Sequence, residues 1–380
     1  NRNGLAPEGP ALPANWPQSG LQQIWQSQPF SSDVGDGSAG GYGSVVVADE
    51  RVYAFVNRKI VDPDEGSRRA TDVVLCWNAA TGKPLWKNET PGSVSHWGSS
   101  STPCIVNGRC YVIGGAGTVY CLDSKDGSEI WAVEPSQVRR DISSSIEVVN
   151  GKVILMCGLL TALDAKTGDT LWQQPALTGS DNSTVLWRSE GQDYLICNDE
   201  KSKSVACVSA ADGKVLWTTV GGGKSTAVVV GDTMVVLTPK MMLAYTLTID
   251  GPLELWRNSE VHDRGTSPVI YEGHVYHIGS RGSAACIELA TGQLAWLEEV
   301  PDTEISSPIV VDGKIIVQQE WGKKLTMIRP TPQKYEVLSQ VQLPLSRAAS
   351  PAVVDGKLYV RLNHAVACYD LTSPGAIQQK

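Results

Sequence analysis

Phenylalanine is almost missing from this 380-residue chain: two copies stand against twelve tryptophans. A sequence that asks so often for an indole points to one recurring position shaped for it. No apolar run approaches the roughly 18 residues of a membrane-spanning helix. No window carries an apolar stripe of period 3.6 over helix length. The nine cysteines include no CxxC, no CxxCH and no adjacent pair, so zinc and c-type haem lack their ligand spacing. No Ser-His-Asp order and no phosphate-cradling Walker loop is present. Basic residues are outnumbered 32 to 40, and the net charge of −8 speaks against nucleic acid, whose phosphates need a basic face.

What is there suits a globular all-β protein. Hydrophobic residues make up 42% and charged residues 19%, enough for a core and too apolar for disorder. The 37 glycines and 21 prolines fit many short strands joined by tight turns. A turn ending in glycine, followed a few residues later by tryptophan, recurs along the chain. Its clearest copy is Ala162-Leu163-Asp164-Ala165-Lys166-Thr167-Gly168-Asp169-Thr170-Leu171-Trp172. Other copies end at Trp86, Trp131, Trp217, Trp256 and Trp296, and a degenerate one ends near Leu338. From Trp86 onward the spacings are 45, 41, 45, 39 and 40 residues, a propeller or helical-array period. In several repeats an Asn-Gly or Asp-Gly pair sits between β-branched runs, as at Asn107-Gly108, Asn150-Gly151, Asp312-Gly313 and Asp355-Gly356. Such pairs mark two-residue hairpins, because both turn residues take positive φ. Two hairpins per repeat make four short strands, which is a propeller blade.

Inner-strand starts number eight, near Gly43, Ser101, Ser145, Ser183, Ser225, Ser267, Ser307 and Ser350. The last repeat stops at Ala367-Cys368-Tyr369-Asp370 without its tryptophan, and Leu21-Gln22-Gln23-Ile24-Trp25 supplies a spare strand. The expectation is an eight-bladed all-β propeller, four antiparallel strands per blade, whose N-terminal strand closes the last blade and removes the open sheet edge.

These residues resemble the PQQ-like (quinoprotein-like) repeat family, whose docking motif reads Ala-x-Asp-x-x-Thr-Gly-x-x-x-Trp. Ala162 to Trp172 fits it at every fixed position. The resemblance spans about residues 21–373, leaving 1–20 as an extended arm and 374–380 as a tail. It implies that Trp25, Trp86, Trp131, Trp172, Trp217, Trp256 and Trp296 pack between neighbouring blades. The chain is also similar to the propeller lipoprotein of the outer-membrane barrel-assembly machine and to exported PQQ-like propellers. The polar opening Asn1-Arg2-Asn3-Gly4 carries no Met and reads as a mature or trimmed end. A periplasmic or extracellular monomer is therefore expected, with a protein partner or a glycan of the cell envelope.

Cys76, Cys121, Cys207, Cys286 and Cys368 occupy the alanine position of the motif, one per blade, and read as small buried hydrophobes rather than disulfide partners. Cys104 and Cys110 flank one hairpin but are offset by a residue, with expected partners Tyr111 and Ile105.

Loops before each inner strand, and those joining the middle strands, should gather at one mouth of the channel. They bring Tyr42, His96, Trp97, Arg140, Asp141, Asp181, Asn182, Lys224, Asp263, Arg264, Glu304 and Arg347 to a ring. Arg58, Lys59, Lys240, Arg281, Trp321, Asn363 and His364 join them. Convergent polar and aromatic groups at a concave mouth make a binding-site candidate; equally, large propellers fill their mouths with water and ion pairs. His262, His274 and His277 read as ordinary strand or loop residues. The stretch from Arg58 to Asp72 reads as a solvated loop or a lid.

Three functions compete. One is a non-catalytic binding or scaffold module. A second is carbohydrate recognition, with Trp97 and Trp321 as stacking platforms. The third is a quinoprotein dehydrogenase, for which the resemblance implies PQQ between a Trp and an adjacent Cys pair, with calcium on carboxylates and a general-base Asp. Asp141, Asp181, Asp263, Glu304 and Trp97 offer parts of that set, but the adjacent Cys pair is absent. No cofactor and no metal are the leading expectation.

Overall fold

The protein is described from a computed structural model that defines residues 3–30, 41–61, 68–92, 100–135 and 142–373. Eight antiparallel sheets stand around a central channel. Blades 1 to 7 span 46–92, 104–133, 147–179, 185–220, 228–258, 269–299 and 309–342. Blade 8 spans 352–370 and takes its outermost strand, Gln22–Gln26, from the other end of the chain. There Trp25 faces Cys368, as Trp86 faces Cys76 and Trp172 faces Ala162. The closure expected from the missing tryptophan is the one observed. In blade 3 the two middle strands run on as one, Lys152–Asp164, which pairs with Glu147–Val149 at one end and Thr170–Gly179 at the other.

The core lies between blades rather than within them. Eight hydrophobic clusters fill the eight seams, each drawn from two adjacent blades. At the outer rim the docking indoles fix these seams. Trp25, Trp86, Trp131, Trp217, Trp256 and Trp296 donate their ring N–H to backbone carbonyls of Ala79, Ser124, Ala165, Thr248, Leu289 and Thr331 in the next blade, at 2.7–3.3 Å. The Trp172 N–H is buried and has no acceptor. The motif glycine is the landing surface. A Cβ on Gly82 or Gly292 would lie 2.5 Å from the ring of Trp25 or Trp256, and both glycines have φ near +70°. The motif aspartate folds the turn: Asp164 accepts the N–H groups of Lys166 and Thr167.

At the inner rim a second device holds the blades. The N–H of Ser44 donates to the hydroxyl of Thr102, Thr102 to Ser145, Ser145 to Ser183, and Ser183 to Thr226. Beyond one link, Ser267 donates to Ser307, Ser307 to Ser350, and Ser350 back to Ser44. The remaining link is reversed in kind: the Ser267 hydroxyl donates to the Thr226 carbonyl, at 2.9 Å. Hydroxyl residues thus close a hydrogen-bonded circle round the channel.

Blade 7 breaks the outer pattern. The place of its docking tryptophan, opposite Met327, is held by Ser339. The indole comes instead from the N-terminal arm. The Trp16 N–H of the backbone donates to the Ser339 hydroxyl, and its ring is buried with Leu358, Val360 and Tyr369 of blade 8. The arm is held along its length. Leu5 pairs in parallel with Val310, an innermost-strand residue of blade 7, and the Leu12 N–H donates to Asp312.

The stretch Arg58 to Asp72 is neither a plain loop nor a lid where it is described. Arg51–Val61 and Arg68–Asn78 pair without a break from Arg51↔Asn78 to Val61↔Arg68, so blade 1 carries an elongated hairpin. All nine cysteines are free; Cys104 faces Tyr111 and Ile105 faces Cys110, the offset expected from sequence.

Trp16 is expected to matter as much as a motif tryptophan. Trp16→Ala and Trp131→Ala should each cost about 3–5 kcal/mol in urea unfolding, the usual range for emptying a buried indole site. A loss under about 1 kcal/mol for Trp16→Ala, a surface-like value, would show that the arm does not carry the seam.

Candidate ligand face at the channel mouth

The two kinds of loop assigned to the mouth do meet. Glu320, from the middle loop of blade 7, donates its N–H to the carbonyl of Asp302 in the loop before it. The Glu200 carboxylate of blade 4 likewise accepts from the N–H groups of Ser180 and Asp181 and from the Asn182 side chain, at 2.7–3.1 Å. His96, Trp97, Arg140 and Asp141 lie outside the described residues, as does the side chain of Lys59.

The other expected residues gather into separate clusters. Asp181 and Lys224 form an ion pair of 2.6 Å across the blade 4–5 loops, and this partner raises the lysine pKa. Arg281 donates to His262 Nδ1 at 3.1 Å. Arg264, Lys240 and His364 are exposed. Asp263 is buried. Its Oδ1 accepts the N–H groups of Arg264, Gly265 and Thr266 and the Ser280 hydroxyl; its Oδ2 accepts the Ser280 N–H and faces His277 at 3.4 Å. Burial alone would raise this carboxyl, but the His277 side chain and the converging N–H groups hold it far below the carboxylate range. Asp263 therefore organises its loop rather than facing the channel opening.

The fourth cluster joins blades 7, 8 and 1. The Arg347 guanidinium lies 5.3 Å from the Tyr42 ring and 5.5 Å from the Trp321 ring, with Glu304 at 3.9 Å. Burial raises the Glu304 carboxyl against the pull of Arg347.

Some residues escaped sequence reasoning. Arg361 is buried at the end of strand Lys357–Arg361; it donates to the carbonyls of Gly43 and Phe55, and burial lowers its pKa to about 10. Glu200 is the hub of its loop pair. Asp72 is buried at the seam of blades 1 and 2, 2.7 Å from Asn57 Nδ2 and 3.4 Å from the Tyr120 hydroxyl. Burial pushes its carboxyl up to about 6 despite both hydrogen bonds. A charged residue at a strand end, in a turn or within an insertion reads in sequence as exposed, so none of these carried a signal.

The described members of the candidate calcium–PQQ set, Asp181, Asp263 and Glu304, do not fit it; Asp141 and Trp97 lie outside the described residues. Asp181 is spent on Lys224, Asp263 on N–H donors and His277, and Glu304 lies against Arg347, so no oxygen cage for one hard cation forms among the described residues. A cavity of about 470 Å³ lies elsewhere, at the outer seam of blades 8 and 1, lined by Phe30, Val56, Leu75, Trp77, Leu85 and Trp86.

Repeats, docking indoles and blade closure define an eight-bladed propeller of the PQQ-like class. The chain belongs to the family described as outer membrane protein assembly factor BamB, whose profile matches residues 17–238, 158–307 and 250–373. It is similar to BamB of Escherichia coli K12, 25% identical over 241 residues, covering 60% of this chain and 50% of that protein. BamB of Shewanella oneidensis is 22% identical over 322 residues, covering 81% and 78%. The chain thus spans about half the length of some curated relatives it matches. Quinohemoprotein alcohol dehydrogenase ADH-IIG of Pseudomonas putida is 35% identical over 85 residues, covering 20% of this chain and 12% of that one. Two solved structures superpose with a TM-score of 0.67 at 12% identity. BamB of Moraxella catarrhalis covers 95% of this chain and 98% of its own. The quinohemoprotein alcohol dehydrogenase of Comamonas testosteroni covers 96% and 79%. At that identity the likeness concerns the fold alone.

Asp72 makes the seam pH-dependent. Its folded pKa of about 6 exceeds the ordinary 3.8, so the protonated acid is favoured by folding. That stability is fully present below pH 3.8 and is lost as pH rises through 6, by up to about 3 kcal/mol. Asp72→Asn should remove the loss: relative to the parent, its unfolding free energy should gain between pH 4 and pH 7. An unchanged difference across that range would refute the buried acid.

Proposed function

We propose that the protein is a non-catalytic propeller of the cell envelope that holds a protein partner at its channel mouth. One observation carries the reading. Asp181 and Asp263 turn onto the protein's own Lys224 and N–H groups, while Trp321 is an exposed indole with the part-buried guanidinium of Arg347 over its ring. Tryptophan and arginine are the residues that dominate protein–protein contacts. The family match along 17–373 supports this reading, as do relatives named for outer-membrane protein assembly. It also favours a periplasmic location, and no described helix is long and apolar enough to cross a membrane. No cofactor enters the proposal.

Photo-crosslinkers placed at positions 181 and 264 in the living cell should each trap a discrete envelope protein, identifiable by mass spectrometry. A crosslinker at 150, in a hairpin turn of the opposite face, should trap none. Equal trapping from both faces would refute the mouth as the docking face. A melting temperature that rises saturably with PQQ and Ca²⁺, accompanied by dye reduction on alcohols, would replace the reading with a dehydrogenase.

A further inference from the structure

The middle loop of blade 7 is held in an unfavourable backbone. Glu320, Trp321 and Gly322 have φ of +53°, +57° and +82°, three successive residues in the left-handed region. Side chains with a Cβ rarely sit there, and a bulky one least of all, so the surroundings must impose the shape. They do so through several contacts. The Glu320 N–H donates to Asp302, Lys324 pairs with the Glu320 carboxylate, and the Leu345 N–H donates to the Gly322 carbonyl at 2.8 Å. A Cβ on Gly322 would lie 2.5 Å from the Leu345 carbonyl oxygen, so the loop lies flat on the next segment.

The result is an indole held out at the mouth with 53% of its surface exposed. The Arg347 guanidinium lies over both this ring and that of Tyr42, a contact with the ring faces that leaves its N–H groups to make hydrogen bonds. Those groups are poorly used. Glu304 stands 3.9 Å away, beyond hydrogen-bond reach, and the buried Nε has no acceptor. A planar fork with free N–H donors matches a carboxylate in two-pronged fashion. The neighbouring indole matches an apolar side chain. A sugar would instead ask for several hydroxyl-pairing groups around the indole.

We propose that Trp321 and Arg347 are the anchor of the mouth for a polypeptide segment that carries a carboxylate beside an apolar side chain. This rests on the protein-partner reading and names the chemistry of that partner.

Fluorescein-labelled Gly-Glu-Leu-Glu-Leu-Gly, titrated with the full chain at low ionic strength, tests it by anisotropy. Binding should weaken at least tenfold when the glutamates become glutamine, and again when the leucines become serine. Arg347→Ala and Arg347→Lys should each lose at least tenfold, the second because lysine keeps the charge but not the fork. Trp321→Asn is the informative variant. Asparagine tolerates the left-handed backbone, so its melting temperature should match or exceed the parent while binding is lost. Lys152→Ala, on the opposite face, should bind as the parent does. Undetectable binding of the acidic peptide, equal binding of the glutamine peptide, or parental affinity in a folded Arg347→Ala chain would each overturn the anchor. Binding of cellohexaose that depends on Trp321 but not on Arg347 would overturn it in favour of a glycan. If the crosslinks form at the mouth while the peptide ignores Arg347, the partner reading stands and this anchor falls.

Discussion

An indole on the outer strand of one blade lies over the turn glycine of the next and donates its N–H to a carbonyl beside that turn. Every blade is a small sheet with two apolar faces, and neither face can stay in water. Each seam must therefore be dry on both sides and held at a constant angle, eight times in succession. The indole does both jobs at the outer rim, because it is wide enough to cover the seam and carries one donor to fix its direction. The glycine follows from the indole, since any side chain there would meet the ring.

A circle of blades has a further constraint: its ends must meet. Blade 8 borrows Gln22–Gln26 for its outer strand, and with it Trp25, which docks on Ala79 of blade 1. Blade 7 has lost its tryptophan, and the same N-terminal stretch repairs that seam with Trp16. One segment of about twenty residues thus serves two adjacent seams. The joint between the chain's two ends is reinforced on both sides, where a ring closed without a covalent link is weakest.

Much of this was legible in the sequence because repetition amplifies weak signals. A lone Gly followed by Trp means little, but six copies at a period near forty fix the blade. The stray Trp25 and the unfinished last repeat revealed the closure. Even the cysteine offset at Asn107-Gly108 followed from hairpin geometry. Trp16 was not legible, because its partners lie some 340 residues away and no period points to it. The mouth was legible as a place but not as a set of partners. Asp181 and Glu304 choose their neighbours across blades, Asp263 and Arg281 within blade 6 and the loop before it, and loop spacing does not encode those choices. Asp263 shows the difficulty best: the residues that bury it, His277 and Ser280, belong to the following hairpin.

The hydroxyl circle at the inner rim has a direction. In seven of its eight links each N–H points to the hydroxyl of the next blade, so every member except Thr226 and Ser267 receives from one neighbour and gives to the other. Such an arrangement is a directed chain whose two ends meet. A fault at one member appears one step upstream: removing the Ser145 oxygen strands the N–H of Thr102 in the blade before it. At the Thr226–Ser267 link the sense changes, beside the run Gly221-Gly222-Gly223, whose φ values of +153°, +85° and +156° suit only glycine. The circle is thus continuous in bonding yet has a source, Ser267, which gives on both sides, and a sink, Thr226, which receives on both.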